Sequence, residues 1–167
     1  MIDESSYWKD ELARIAGRMR KRMKQKRWSE ASFFLFERDV FFAFFTVRKL
    51  IEAKTKLSPE TTSVKIALQR YPLMPGRDVT LGNWDRIDKN YDLAEGKQCK
   101  KDLAFVCNQI IHSYVFKPLF TEDGRSLCSF AFSSDRQKHD ALYMMDVKEL
   151  VALLERASSD YPHTIAM

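Results

Sequence analysis

The chain has 167 residues, of which 45% are hydrophobic, and a formal net charge of +5. This length and hydrophobic fraction are enough for one substantial core and predict a single domain over residues 1–167. Its longest uncharged, strongly apolar run, Val40 to Val47, is far shorter than the roughly 20 residues of a membrane span. The acidic, polar start MIDESSYWKDE lacks the layout of a signal peptide. We therefore expect a soluble, cytoplasmic protein with no membrane partner.

The excess positive charge lies in the first 28 residues, because the rest of the chain has as many acids as bases. Leu12, Ile15, Met19 and Met23 recur every three or four residues, which predicts a basic amphipathic helix within residues 1–28. No acid follows Glu11 in this segment, so its cations predict a nucleic-acid-binding face. They are Arg14, Arg18, Arg20, Lys21, Arg22, Lys24, Lys26 and Arg27. A solvated helix face is the alternative.

Ser29 is a predicted N-cap for a second helix that runs to about Lys56. Seven phenylalanines lie between Phe33 and Phe45, and a helix that is apolar on nearly every side belongs in the middle of a bundle. The pattern therefore places this helix inside a helical core over residues 29–116.

Two cations on this Phe-rich helix, Arg38 and Arg48, need a physical reason. One reason is a structural ion pair, for example with Glu37 or Asp39, and the other is a role in a site. Glu37 and Arg48 are eleven residues apart, so they project from the same face of a helix.

The second half of the chain predicts a change of structure. LSPET indicates a short helical turn. Residues 62–96 remain unassigned: VKIALQRYP is either a short strand or a helix ended by Pro72, and the segment after it is loop-rich. A third strong helix is predicted from about Lys97 to Val115. After Lys117-Pro118 the apolar period becomes two, and Asp123-Gly124 is a favoured two-residue hairpin turn. A β-meander and a helix capped by Asp146 and Glu149 are therefore predicted over 117–157, followed by a frayed tail over 158–167.

The predicted fold class is α+β and mainly α. It is a helical bundle with a small antiparallel β-meander near the C-terminus, followed by a helix.

The candidate chemistry lies in CNQIIHSY, Cys107 to Tyr114. Asn108 and His112 are four residues apart and share one face of a helix, with Cys107 and Tyr114 beside it. A histidine next to an amide can act as a general acid or base near neutral pH, whereas a structural hydrogen-bond network is the alternative. The other histidines are predicted to be solvated: His139 in a turn and His163 in the tail.

Other familiar sites have no support in the sequence. There is no phosphate-binding glycine loop, GxSxG elbow or HExxH motif, so no cofactor is expected. Three cysteines without CxxC spacing or a matching histidine pair predict reduced thiols and no metal site. They are Cys99, Cys107 and Cys128.

The spacing from Cys107 to His112 resembles the motif of the HEPN superfamily, helical domains that are commonly RNase toxins or RNA-processing modules. That motif is an Arg, a polar residue that is often Asn, three variable residues and a His, on a late helix of the bundle. Cys107 stands where the family has its Arg. His112-Ser113-Tyr114 is similar to the His-x-Tyr of the HepT-like branch, a toxin paired with a nucleotidyltransferase antitoxin. The match covers six to eight residues.

The resemblance implies a metal-independent ribonuclease toxin, or a non-catalytic relative, in bacterial toxin–antitoxin or phage defence. It implies a catalytic site of His112, Asn108 and Tyr114, to which Arg48 or Arg38 would add the missing cation. The implied partners are RNA, an antitoxin or other protein, and a second copy of the chain in a homodimer. The alternative is a non-enzymatic protein that binds nucleic acid or a partner protein through its basic first helix.

Overall fold

Five antiparallel strands form the centre of the fold, in the order β2-β1-β5-β4-β3. They are β1 (Lys65–Pro72), β2 (Lys97–Asp102), β3 (Ser113–Phe120), β4 (Leu127–Ser134) and β5 (Ala141–Asp146). The structure is a computed structural model that describes residues 2–162. His163 and the last residues of the predicted tail lie outside the described residues.

One face of the sheet is covered by helices. They are α1 (Ser6–Lys24), α2 (Glu30–Glu52), α5 (Leu103–Ile111) and α6 (Val147–Ser159), and two single-turn helices, α3 (Pro59–Thr62) and α4 (Ile87–Asn90), lie elsewhere. Alternate residues of β4, such as Phe130 and Phe132, point into this main core and are fully buried. Helix α2 contributes Phe36, whose ring packs against Phe116 and Phe130.

The opposite face of the sheet is covered by the connecting segment, residues 73–96, which includes α4. Its side chains Val79, Ile87 and Tyr91 form a second, smaller core with Ala131 and Leu142 of the sheet. The segment is mostly loop and is held by long-range contacts, such as the Tyr91 hydroxyl donating to the Lys138 carbonyl at 2.7 Å. No local period marks such a segment, which explains why the sequence leaves it unassigned.

The predicted helical bundle with a small meander is wrong, because the centre of the fold is a five-stranded sheet. The third helix was predicted from Lys97, but residues 97–102 form β2, which pairs with β1. The helix ends at Ile111, and β3 begins at Ser113 instead of after Pro118. Pairing with strands distant in the chain decides these boundaries, and a local pattern does not contain that information.

Helix α2 also differs from the prediction of a helix buried on all sides. Its N-terminus is capped as expected, since the Ser29 hydroxyl accepts a hydrogen bond from the Ser32 backbone N–H at 3.2 Å. The sheet side buries Phe36 and Phe44, but Phe34 and Phe45 on the other side are 60% and 43% exposed. A helix of one layer has only one face to bury, so α2 leaves aromatic rings at the surface.

The C-terminal hairpin and helix lie where the sequence places them, with different ends. The β3–β4 connection takes six residues, 121–126, instead of two, and Gly124 adopts the left-handed conformation with φ of 69°. Helix α6 begins after Asp146, but the Asp146 side chain makes no capping hydrogen bond. Among residues 2–162, no helix has both the length and the apolar content of a membrane span.

Among residues 2–162, each outer strand of the sheet has one edge without a paired strand. Strand β2 carries Lys97, Lys100 and Lys101, and strand β3 carries Lys117 and Pro118. Pro118 has no backbone N–H and is compatible with an edge strand.

Candidate functional site

Arg48 of α2 reaches across to α5. Its Nη1 donates a hydrogen bond to Asn108 Oδ1 at 2.6 Å, and its Nε donates to Glu52 Oε1 at 2.9 Å. Both partners accept, so the guanidinium is held from two directions while its side chain stays 37% exposed. The structure thus places a cation against the helix that carries Asn108 and His112.

Arg48 and Asn108 line a surface cleft of about 510 Å³, which we call the His112 cleft. Its walls are α2, α5 and the turn after β4. The lining residues are Arg48, Phe105, Asn108, Gln109, His112, Ser134, Asp135, Arg136 and Gln137.

The turn after β4 is fixed to α5 by two hydrogen bonds. Gln109, which is 6% exposed, accepts at Oε1 from the Ser134 backbone N–H at 3.0 Å. The Asp135 backbone N–H donates to the His112 carbonyl at 3.2 Å. The far wall of the cleft therefore has a defined position relative to His112.

The cleft presents positive and neutral donors more than negative charge. His112 caps the end of α5 with its backbone, and its exposed ring makes no hydrogen bond with any residue from 2 to 162. Arg136 is exposed and has no ion pair within the same described range. Asp135 is paired with Lys138, whose hydrogen bond and charge hold the pKa of that carboxyl below its usual value.

Cys107, at the motif position of Arg, faces the main core and is fully buried. Burial raises the pKa of its thiol to about 12, and the nearby charge of Arg48 offsets only part of this effect. Cys107 is therefore a protonated packing residue. An Arg side chain there would have to occupy the space of a buried thiol.

Tyr114 does not line the His112 cleft. It lies in β3, where its ring packs under the Lys138 ammonium at 4.0 Å from the centroid and lines a neighbouring cleft. Of the four predicted catalytic residues, the structure brings Arg48, Asn108 and His112 to one cleft and leaves Tyr114 in the next. The cause is the early end of α5, which turns the chain into a strand directly after His112.

Ion pairs hold half of the eight cations of the predicted nucleic-acid-binding face. Arg18 and Arg22 donate to Asp39 at 2.9 and 2.7 Å, and Arg38 of α2 joins them at 3.1 Å. Arg14 and Arg18 pair with Glu11, and Arg20 pairs with Glu155 of α6. Lys21, Lys24 and Arg27 have no ion pair among residues 2–162, and Lys26 donates to the Ser126 hydroxyl at 3.3 Å.

Sequence reasoning missed Gln109, Arg136 and the turn that contains Ser134. Gln109 lies inside the motif, but its contact with Ser134 is 25 residues distant in the chain. Arg136 belongs to the charged stretch SSDRQKHD, which has no feature that distinguishes it from a solvated loop.

Within the described range, no three His, Cys, Asp or Glu side chains are grouped as a metal ion requires. We compared the chain with protein-family models, with curated proteins and with solved structures, and none of them matches. The function of the His112 cleft is therefore inferred from its own residues.

Proposed function

We propose that this protein binds RNA at the His112 cleft and cleaves it as a metal-independent endoribonuclease. The observation that supports the proposal is the hydrogen bond from Arg48 to Asn108, which fixes a guanidinium in the cleft that His112 also lines. In this proposal Arg48 supplies from α2 the cation that the HEPN-like motif lacks at Cys107.

The residues suit transfer of the phosphoryl group to the neighbouring 2′-hydroxyl. His112 takes the proton of the 2′-hydroxyl, the 2′ oxygen bonds to phosphorus, and the bond to the 5′ oxygen breaks. Water protonates the departing 5′ oxygen. Arg48 and Arg136 stabilise the charge on the non-bridging phosphate oxygens. The products are a 2′,3′-cyclic phosphate and a 5′-hydroxyl.

The test is cleavage of a labelled single-stranded RNA by the wild type and by His112→Ala and Arg48→Ala. Loss of a general base lowers such rates by about 10²–10⁴-fold. Loss of a charge-stabilising donor lowers them by about 10²–10³-fold. Cleavage by the wild type should persist in EDTA, and a 2′-deoxy substitution at the cleaved position should stop it.

His139→Ala is the control for loss of an imidazole outside the cleft. The His139 Nε2 accepts a hydrogen bond from the Val79 backbone N–H at 3.1 Å, so this variant also shows whether loss of a structural histidine alone reduces cleavage. All variants should keep the wild-type circular dichroism spectrum. Equal cleavage by wild type and His112→Ala, or no cleavage of RNA by the folded wild type, would contradict the enzymatic proposal. The proposed cellular role, a toxin or defence protein, further predicts slower bacterial growth on expression of the wild type and normal growth with His112→Ala.

A further inference from the structure

A second cleft, which we call the aromatic cleft, lies beside the His112 cleft and has a volume of about 490 Å³. Phe41 and Phe45 of α2, Trp84 of the connecting segment and Tyr114 of β3 line it. Phe45 is 43% exposed there. Rings from three separate elements thus surround a space that is open to solvent and suited to a flat ligand.

The aromatic cleft and the His112 cleft are lined by neighbouring residues of the same two stretches of chain. Ile111 and Ser113 line the aromatic cleft, while His112 between them lines the other. On α2, Phe45 and Arg48 are three residues apart and therefore neighbours on the helix surface. A ligand held by Arg48 can place an attached ring beside Phe45.

Glu37 forms the polar end of the aromatic cleft. It lies on the same face of α2 as Phe41 and Phe45, because these three residues are spaced by four. Glu37 is exposed, and its carboxylate has no hydrogen bond or ion pair among the described residues 2–162. An ionised carboxylate only accepts hydrogen bonds. It therefore favours a ring whose edge presents neighbouring N–H donors.

We infer that the aromatic cleft is a nucleobase pocket that prefers guanine, next to the phosphate held by Arg48. This inference rests on the proposed function, because it assumes that the His112 cleft holds the RNA backbone. Unpaired bases stack on aromatic side chains and are identified by hydrogen bonds to their edges. Guanine presents two adjacent N–H groups to a carboxylate, whereas adenine, cytosine and uracil place acceptors beside their donors.

The test measures binding of the four nucleoside 3′-monophosphates by isothermal titration calorimetry, without any cleavage step. We expect guanosine 3′-monophosphate to bind about tenfold more tightly than the other three, and Glu37→Gln to remove this preference. Trp84→Ala should weaken all four by about tenfold or more, through loss of stacking. Trp84→Phe keeps an aromatic ring and should bind all four nucleotides more tightly than Trp84→Ala does. It provides the stacking comparison if Trp84→Ala disturbs the fold.

Glu30→Gln is the matched control, since Glu30 is an exposed carboxylate in the first turn of the same helix and lies outside the cleft. Equal affinity for all four nucleotides, or a guanine preference that survives Glu37→Gln, would overturn the inference. If the wild type cleaves RNA and substitutions at Trp84 and Glu37 change neither cleavage nor nucleotide binding, the nucleobase pocket is rejected and the ribonuclease proposal stands. Guanine-specific binding with no RNA cleavage would support the pocket and reject the cleavage.

Discussion

Asp39 is the acid on which cations from the first two helices converge. It is 2% exposed and accepts hydrogen bonds from Arg18, Arg22 and Arg38. Burial raises the pKa of Asp39, but the hydrogen bonds and charges of Arg18 and Arg22 lower it by more, so the folded pKa lies below 3.8. Part of the positive charge of α1 is therefore used in ion pairs that hold α1 against α2.

Replacing Asp39 with Asn should lower the free energy of unfolding by about 3–5 kcal/mol at pH 7, because the buried Arg22 loses its counter-charge. Urea denaturation measures this difference. Since the folded pKa is depressed, the stabilisation is present above pH 3.8 and is lost as the pH falls through the lower folded pKa. The difference in the free energy of unfolding between Asp39→Asn and the wild type should therefore become smaller below pH 3.8.

The matched control for this comparison is Asp10→Asn, which changes an exposed acid of α1 and should stay within about 0.5 kcal/mol of the wild type. An Asp39→Asn variant with the wild-type unfolding midpoint at pH 7 would refute the structural role of the cluster.

At the residue scale, the sequence could place Asn108 and His112 together, because a spacing of four is a property of the helix itself. It could not decide between Arg48 and Arg38 as the added cation, because the contact of Arg48 with Asn108, 60 residues away, depends on the packing of α2 on α5. The structure places Tyr114 in the aromatic cleft instead, because the helix ends before that residue.

At the scale of elements, the turn after β4 depends on one side chain of α5. The Gln109 amide oxygen is the acceptor for the buried Ser134 N–H. This contact links the strand that ends at Ser134 to the helix that carries Asn108 and His112, so it sets the width of the His112 cleft.

Replacing Gln109 with Ala should cost about 1–3 kcal/mol of stability, because a buried backbone N–H loses its partner. Hydrogen exchange by NMR should show faster exchange of the Ser134 amide, and urea denaturation gives the stability. Gln98→Ala, on an exposed position of β2, is the control and should change neither quantity. Unchanged protection of the Ser134 amide in Gln109→Ala would show that the turn is held by other contacts.

Elements with a clear helical period, α1, α2 and α6, were predictable, since their apolar faces repeat within each segment. Strand β2 was not, because KQCKKD has no apolar alternation and becomes a strand through pairing with β1. Its partners lie some 30 residues earlier, as in the pair Leu68 and Cys99.

At the scale of the whole molecule, the net charge of +5 does not translate into a continuous basic surface on α1. Glu11, Asp39 and Glu155 neutralise part of it through ion pairs. The two groups of cations proposed as alternatives for RNA contact are Lys21, Lys24 and Arg27 near the end of α1, and Arg48 and Arg136 in the His112 cleft.

Fluorescence anisotropy at several salt concentrations should separate these two groups. Replacing Arg48 and Arg136 with Gln should weaken binding of single-stranded RNA by tenfold or more, and each lost phosphate contact should reduce the salt slope by about 0.7. Replacing Lys21, Lys24 and Arg27 with Gln should have a smaller effect. The opposite order would favour a binding protein that acts through its first helix and contradict the cleft proposal. Arg22 is left unchanged, since its loss disturbs Asp39.

The fold class could not be obtained from the sequence because its main evidence is non-local. The connecting segment 73–96 and the pairing of β1 with β5 join parts of the chain that are some 70 residues apart, such as Gln69 and Met144. The Phe-rich helix suggested the centre of a bundle, whereas two of its rings, Phe41 and Phe45, line the aromatic cleft at the surface.

The outer edges of β2 and β3, which pair with no other strand in the described part of the chain, also affect association between copies of this protein. An unpaired strand edge is a template on which a second chain can add strands and begin to aggregate. Lys97, Lys100 and Lys101 would bring like charges together if two β2 edges met, and Pro118 removes a donor from the β3 edge. We therefore expect the same edge residues that interrupt the strand pattern in the sequence to disfavour edge-to-edge association of the folded chain.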